Sequence, residues 1–210
     1  MIRIAIVDDH ALVRAGLRKY LAEQVDFKVV AEAANGSEAL EIVRGGEVDV
    51  LVLDLSMPGQ SGVDALAAIR ARAPELPVLI LSGFPEAHYA ATLLKQGASG
   101  YLNKECEPEE IVSAIHTLAR GRRYIPPRVA ELIADQLGDK ANLALHETLS
   151  EREFQVFLRL AKGETVGAIS DSLCLSVKTV STYRTRVMEK MKLESNSDLT
   201  YYALKTGLIQ

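Results

Sequence analysis

Cysteine is scarce in this chain, with two in 210 residues. Cys106 and Cys174 show no C-x-x-C spacing and stand beside no cluster of histidines, which argues against a disulfide framework or a structural zinc site. Long apolar runs are missing too. None approaches the roughly 18 residues needed to cross a bilayer. The opening MIRIAIVDDH reaches an acidic pair too soon for a secretory signal. The expected location is therefore the cytoplasm, with no membrane partner. Internal repeats and low-complexity tracts are also absent.

Charge of one sign is lacking overall, since the net value is only -4, which argues against a uniformly basic nucleic-acid binder. The mean hides an asymmetry. Residues 149–210 hold nine Lys or Arg against seven Asp or Glu, whereas residues 1–148 hold fifteen against twenty-one. Between Ser176 and Lys192 five cations meet one anion, Glu189. The two ends suit different partners. At roughly 150 residues per domain, this length favours two domains, one with a good core and one smaller.

Five apolar, β-branched runs lie in the first half: IRIAIV (2–7), KVVAEA (28–33), VLVL (50–53), PVLILS (77–82) and GYLN (100–103). Each precedes a stretch with helical spacing. Leu12, Val13, Leu17, Tyr20 and Leu21 recur at intervals of three and four. Ser37 and Glu38 open a second helix, Gly62 to Arg72 form a third stopped by Pro74, and Glu86 to Gln96 form a fourth ended by Gly97. Pro108 suits the first turn of a fifth, with Ile111, Val112, Ile115 and Leu118 turned inward. Strict alternation of strand and helix predicts a five-stranded parallel, doubly wound α/β sheet.

Residues 121–148 break the pattern: a turn-rich GRRYIPPR, a helical VAELIADQL and a linker GDKANLALHET. From 149 to 210 the signal is all helical. Ser150 and Glu153 make a capping box, Thr165 to Leu173 form a short helix, Ser176 caps a longer one to about Lys192, and Asn196 to Lys205 form the last. Two helices joined by a tight turn, the second basic, is the helix-turn-helix pattern.

In a parallel sheet, ligands sit beyond the carboxyl ends of the strands. Asp8 and Asp9 follow the first strand, Asp54 the third, and Lys104 the fifth, while Ser82 ends the fourth. Taken singly, these are ordinary residues: Asp9 suits a helix cap, Ser82 a turn and Lys104 a surface. Together they bring three carboxylates, a hydroxyl and an ammonium to one rim. Like charges so close need a cation, and hard carboxylate ligands with an incomplete shell suit Mg²⁺. A carboxylate beside Mg²⁺ is also a nucleophile toward phosphorus, with Asp54 as the acceptor.

On the last-but-one long helix, Val177, Val180, Tyr183, Val187 and Met191 form one apolar stripe. Thr179, Ser181, Thr182, Thr185 and Arg186 largely lie off it, flanked by Lys178, Arg184 and Lys190. Small polar side chains with flanking cations suit the major groove of double-stranded DNA. Ile169, Leu173 and Cys174 are expected in the core, as is Tyr183 ahead of a DNA contact. His10, His88, His116 and His146 are expected to be caps or surface groups, and Met57 and Pro58 to shape the loop.

Residues 1–120, with VDD, LVLDLSMPG.SG, LILS and GYLNK, resemble the flavodoxin-like receiver domain of bacterial two-component response regulators. Residues 149–210, with LSEREFQVF and LAKGETVGAISDSLCLSVKTVSTYRTRVMEKMKL, resemble the LuxR-type helix-turn-helix of the NarL/FixJ group. The resemblance implies a DNA-binding transcription regulator, not an enzyme, phosphorylated on Asp54 by a sensor histidine kinase. It implies that Asp8, Asp9, Asp54 and the Ser56 carbonyl hold Mg²⁺, that Lys104 and Ser82 engage the phosphoryl group, and that Tyr101 is the switch aromatic. On the DNA side it implies phosphate contacts from Lys178 and Thr179 and base-facing Ser181, Thr182 and Thr185, with Arg184 and Arg186 as further contacts. A homodimer on DNA is implied, and RNA polymerase is a candidate partner. One departure is Glu105, where the family lysine is usually followed by proline. Phosphatases of the haloacid-dehalogenase type resemble a different pattern, D-x-D after the first strand, and DLS lacks the second aspartate.

Overall fold

The structure, a computed structural model, describes residues 1–57, 62–83, 86–138 and 144–209. The chain divides into two compact units, Met1–Gly138 and Asp139–Gln210.

In the first unit β1 (Ile2–Val7), β2 (Phe27–Ala33), β3 (Val50–Leu53), β4 (Val78–Ser82) and β5 (Gly100–Asn103) form one sheet in the order β2-β1-β3-β4-β5. Every pairing is parallel. All four residues of β3 are buried, as a strand covered by helices on both faces requires. The register sets Val7 opposite Leu53, so Asp8 and Asp54 leave adjacent strands at the same level, and the Asp54 N–H donates to the Val7 carbonyl at 2.8 Å. In this strand order the topological switch falls between β1 and β3.

The helices are α1 (Ala11–Ala22), α2 (Gly36–Gly45), α3 (Gly62–Arg72), α4 (Glu86–Lys95), α5 (Pro108–Ala119) and α6 (Pro127–Gly138). On α5 the buried residues are Ile111, Ala114, Ile115 and Leu118, with Val112 only partly covered. The stripe expected on α1 is narrower than its spacing suggests. Leu21 is buried and Leu17 and Tyr20 rest on the core, but Leu12 is 86 % exposed. At about 100° per residue, nine positions carry Leu12 to the face opposite Leu21. The cap of α2 is Asn35 rather than Ser37: its side chain accepts the Glu38 N–H at 2.9 Å, and Glu38 reaches back to the Ala34 N–H at 2.8 Å.

The second unit holds a 3-10 turn (Leu145–Thr148), α7 (Glu151–Ala161), α8 (Val166–Leu173), α9 (Val177–Met191) and α10 (Asn196–Lys205). Thr165, Ser176 and Ser195 each cap the next helix by accepting a backbone N–H three residues on. The turn between α8 and α9 needs a left-handed residue, and Cys174 fills it with φ 51°. That placement leaves its side chain exposed, so Cys174 is not in the core as expected, whereas Ile169 and Leu173 are. His146 is neither cap nor surface group. It is buried, its Nδ1 is 2.7 Å from the Tyr202 hydroxyl, and its ring stands beside Phe154.

Glu153 ties this unit together. Its carboxylate accepts the Ser150 N–H at 2.7 Å and the Lys190 ammonium of α9 at 2.6 Å while almost fully buried. Burial alone raises its pKa, but Lys190 and Ser150 outweigh that and hold it below the usual glutamate value. Glu153→Ala is expected to destabilise the helical unit by about 2 kcal/mol near neutral pH, read by urea unfolding. A group with a depressed folded pKa stabilises above its unfolded pKa and loses that contribution as pH falls through the folded one. The gap between variant and wild type therefore closes on acidification, and a gap independent of pH would refute the assignment.

Candidate functional site

Four strand ends supply the groups gathered at the carboxyl rim of the sheet. Asp8, Asp9 and His10 occupy the β1–α1 connection, Asp54 follows β3, Ser82 ends β4 and Lys104 follows β5. Lys104 Nζ lies 2.7 Å from Asp8 Oδ2 and 3.0 Å from Asp54 Oδ2. One oxygen or nitrogen from each of Asp8, Asp9, His10 and Asp54 lies within 4.8 Å of the others. The three carboxylates expected to meet do meet. Ser82 is fully buried at its strand end, and its carbonyl accepts the Lys104 N–H at 2.8 Å. Tyr101 is also fully buried. Ser56 is described and half-buried, whereas Pro58 lies outside the described residues, as does the side chain of His88.

Asp54 is 1 % exposed. Burial raises its pKa, Lys104 pulls it back, Asp8 raises it further, and the net direction is upward. Burial also works against the Lys104 charge, but Asp54 and Asp8 together hold that ammonium above its usual value. A buried carboxylate with like charge beside it and one cation to share is under-compensated. The hydrogen bonding says the same: Asp54 Oδ1 and Asp9 Oδ1 are buried with no hydrogen-bond partner. Buried, hard carboxylate oxygens gathered around one point with too little positive charge beside them fit a divalent cation such as Mg²⁺.

Several supporting groups carry no signal in the sequence. Arg14 Nη1 donates to the Asp8 carbonyl at 2.6 Å and pins the loop that presents the carboxylates. Asp8 Oδ1 accepts the His10 N–H at 2.8 Å, so Asp8 closes the entry to α1, and Asp9 is no side-chain cap. After Lys104, where proline is usual in the family it resembles, Glu105 keeps its N–H and donates it to Asn103 Oδ1 at 2.8 Å. No cis peptide occurs among the described residues. Gly62 opens α3 with its N–H on the Leu55 carbonyl at 3.1 Å, leaving no room above the Asp54 backbone for a side chain.

On α9, Val180, Val187 and Met191 are buried, Tyr183 is half-buried, and Val177 is exposed because it sits in the first turn. Lys178, Ser181, Thr182, Thr185 and Arg186 are exposed, with Thr179 and Arg184 partly covered. Thr182 and Thr185 donate their hydroxyls to the carbonyls four residues back, which leaves each oxygen free to accept. Thr179 is drawn into the Ser176 cap at 2.7 Å, and Arg184 Nε is held by Asn196 Oδ1 at 3.0 Å. These two are therefore less free than their neighbours.

Residues 4–116 match the family described as response regulator receiver domain, and residues 147–203 match bacterial regulatory proteins of the luxR family. The chain belongs to the two-component response regulators of the NarL/FixJ group. Its curated relatives include the response regulator UvrY of Escherichia coli K12, 39 % identical over 209 residues that cover 99 % of this chain and 96 % of UvrY. Among solved structures, the response regulator RcsB of Salmonella typhimurium is 26 % identical with a TM-score of 0.62, covering 96 % and 98 % of the two chains. An RcsB–DNA complex, also 26 % identical, aligns with a TM-score of 0.58 over 96 % of each chain. This response regulator thus joins a receiver fold to a LuxR-type helix-turn-helix. Among its described residues, no helix is long and apolar enough to cross a membrane.

Proposed function

We propose that this response regulator is a cytoplasmic transcription factor switched by Mg²⁺-dependent phosphorylation of Asp54, with a sensor histidine kinase as donor and double-stranded DNA as target. The observation that carries the reading is Asp54 itself, a buried carboxylate with an orphaned oxygen beside two further carboxylates and a lysine. Asp8, Asp9, Asp54 and the Ser56 carbonyl would hold Mg²⁺, which when bound would neutralise charge on the transferring phosphoryl group. The Asp54 carboxylate forms a bond to phosphorus as the donor's own bond to phosphorus breaks, giving a mixed anhydride. Lys104 then pairs with the phosphoryl oxygens, Ser82 donates to one of them, and Tyr101 reports the change by its packing. The added charge of about -1.5 to -2 is what the surrounding groups reorganise around.

Incubation with Mg²⁺ and a small phosphodonor, followed by mapping of the acyl phosphate by mass spectrometry, tests this. Label on Asp54 that disappears with a chelator is expected. No label, or label elsewhere, would end the reading.

On the DNA side, exposed Lys178 and Arg186 grip phosphates, while Ser181, Thr182 and Thr185 face the bases with acceptor oxygens and methyls. RcsB has been seen on DNA, and α9 would be used in a similar way. A two-fold dimer would meet half-sites about 34 Å apart. Lys178→Ala is expected to weaken binding evenly across sequences and to lower the log-log salt slope by about 1, read by fluorescence anisotropy. A slope that does not change would remove Lys178 from the phosphate contacts. RNA polymerase is the proposed downstream partner.

A further inference from the structure

Arg184 is the cation near the exposed face of α9 to which the reading above gives no role. Its Nε donates to Asn196 Oδ1 at 3.0 Å, which ties it across the turn to the first residue of α10. Lys178 and Arg186 have no side-chain partner among the described residues. The acceptor is a neutral amide, so the bond fixes the guanidinium without cancelling its charge. An oxygen on Nε also leaves the remaining N–H donors, on Nη1 and Nη2, as an end-on fork of the kind that grips two phosphate oxygens.

Both ends of this tether are anchored. Val187 on α9 and Leu199 on α10 are fully buried. A capping box closes the start of α10, where Ser195 Oγ accepts the Asp198 N–H at 3.2 Å and Asp198 Oδ2 accepts the Ser195 N–H at 2.9 Å. One turn on, the Thr200 hydroxyl lies 2.9 Å from the Ala161 carbonyl of α7. Asn196 is thus an exposed side chain on a firmly held backbone.

We propose that Asn196 is a positioning residue for DNA, holding the Arg184 guanidinium in one orientation with its free fork turned to a backbone phosphate beside the groove that α9 enters. The proposal rests on the DNA reading above and adds a residue from outside α9. An untethered arginine gives up the rotamer freedom of a long side chain when it grips phosphate, whereas one already held gives up less. Asn196 therefore acts on affinity through Arg184, with no contact of its own.

The test titrates the full chain, treated with Mg²⁺ and a small phosphodonor, with a short mixed-sequence DNA duplex at several salt concentrations, read by fluorescence anisotropy. Arg184→Ala is expected to weaken binding about tenfold and to lower the log-log salt slope by about 1. Asn196→Ala is expected to weaken it about threefold with the slope unchanged, because the charge remains. Asn196→Asp keeps the acceptor but neutralises the cation, so it should cost as much as Arg184→Ala. With Arg184 already alanine, Asn196→Ala should add nothing, since the two act as one unit. In nuclear magnetic resonance spectra of the free protein, the Arg184 Nε–H should be protected from exchange in wild type and lose that protection in Asn196→Ala. Asn196 is exposed, so its alanine variant should keep the wild-type urea midpoint. Additive losses in the double variant, or Asn196→Ala binding as tightly as wild type, would overturn the proposal and leave the DNA reading standing. If wild type does not bind the duplex, both fall together.

Discussion

Asp54→Asn is expected to abolish phosphoryl uptake completely and, at the same time, to stabilise the unphosphorylated receiver unit. The two effects have one cause. Asp54 is held almost without solvent next to Asp8, and the Lys104 ammonium and the Ser56 backbone offset that only in part. Its folded pKa lies above its unfolded one, so protonation favours the folded state; that stabilisation is present below the unfolded pKa and is lost as pH rises through the folded value. At neutral pH the ionised group is therefore a cost. Asparagine removes the charge, keeps the shape and still offers Lys104 an oxygen. The gain should be on the order of 1 kcal/mol, read as a raised urea midpoint with unchanged slope. The gain should fade as the solution is acidified, because wild-type Asp54 then carries its proton as well. Groups poised for chemistry at the expense of stability are a recurring feature of functional sites. A variant less stable than wild type, or one that still accepts phosphate, would contradict this account of the site.

Gly62→Ala should have a large structural effect for the addition of a single carbon. A Cβ on Gly62 would fall onto the Asp54 carbonyl oxygen and within 2.5 Å of the Leu55 Cα. Both are backbone, and neither can swing aside as a side chain does. Either α3 moves off the sheet or the segment after β3 moves off the site. A loss of about 3 kcal/mol is expected, with phosphodonor labelling of Asp54 falling sharply in whatever fraction remains folded. Gly16→Ala is the control. That glycine lies inside α1 with nothing within 4 Å of an added Cβ, so the same substitution should stabilise by about 0.5–1 kcal/mol. Equal effects at the two glycines would show that helix propensity, not the close approach to Asp54, governs Gly62.

The rim of the sheet was legible because a parallel α/β chain puts every functional group in one kind of place, the end of a strand. Asp8, Asp9, Asp54, Ser82 and Lys104 each follow or close an apolar run, and strand order then does the rest. The DNA side was less legible. Spacing alone set Thr179 and Arg184 beside Thr182 and Arg186, but the Ser176 cap engages Thr179 and Asn196 engages Arg184. Cys174 and His146 show the same limit. Cys174 has an apolar side chain yet is exposed, because the turn needs a left-handed residue. His146 has a polar one yet is buried, because Tyr202, 56 residues away, meets its ring.

By itself, then, the sequence determined the order of strands and helices, the capped starts of α7 and α9, and which residue types would gather at the rim, since all of these follow from local periodicity and short-range hydrogen bonding. Only the tertiary structure decided which oxygens are left unpaired, that His10 stands beside Asp9, that Arg14 grips the Asp8 carbonyl, and that no side chain fits at Gly62. Burial and the packing of the loops against the sheet set those outcomes, and periodicity along the chain carries no sign of either, even where the partners are only a few residues apart.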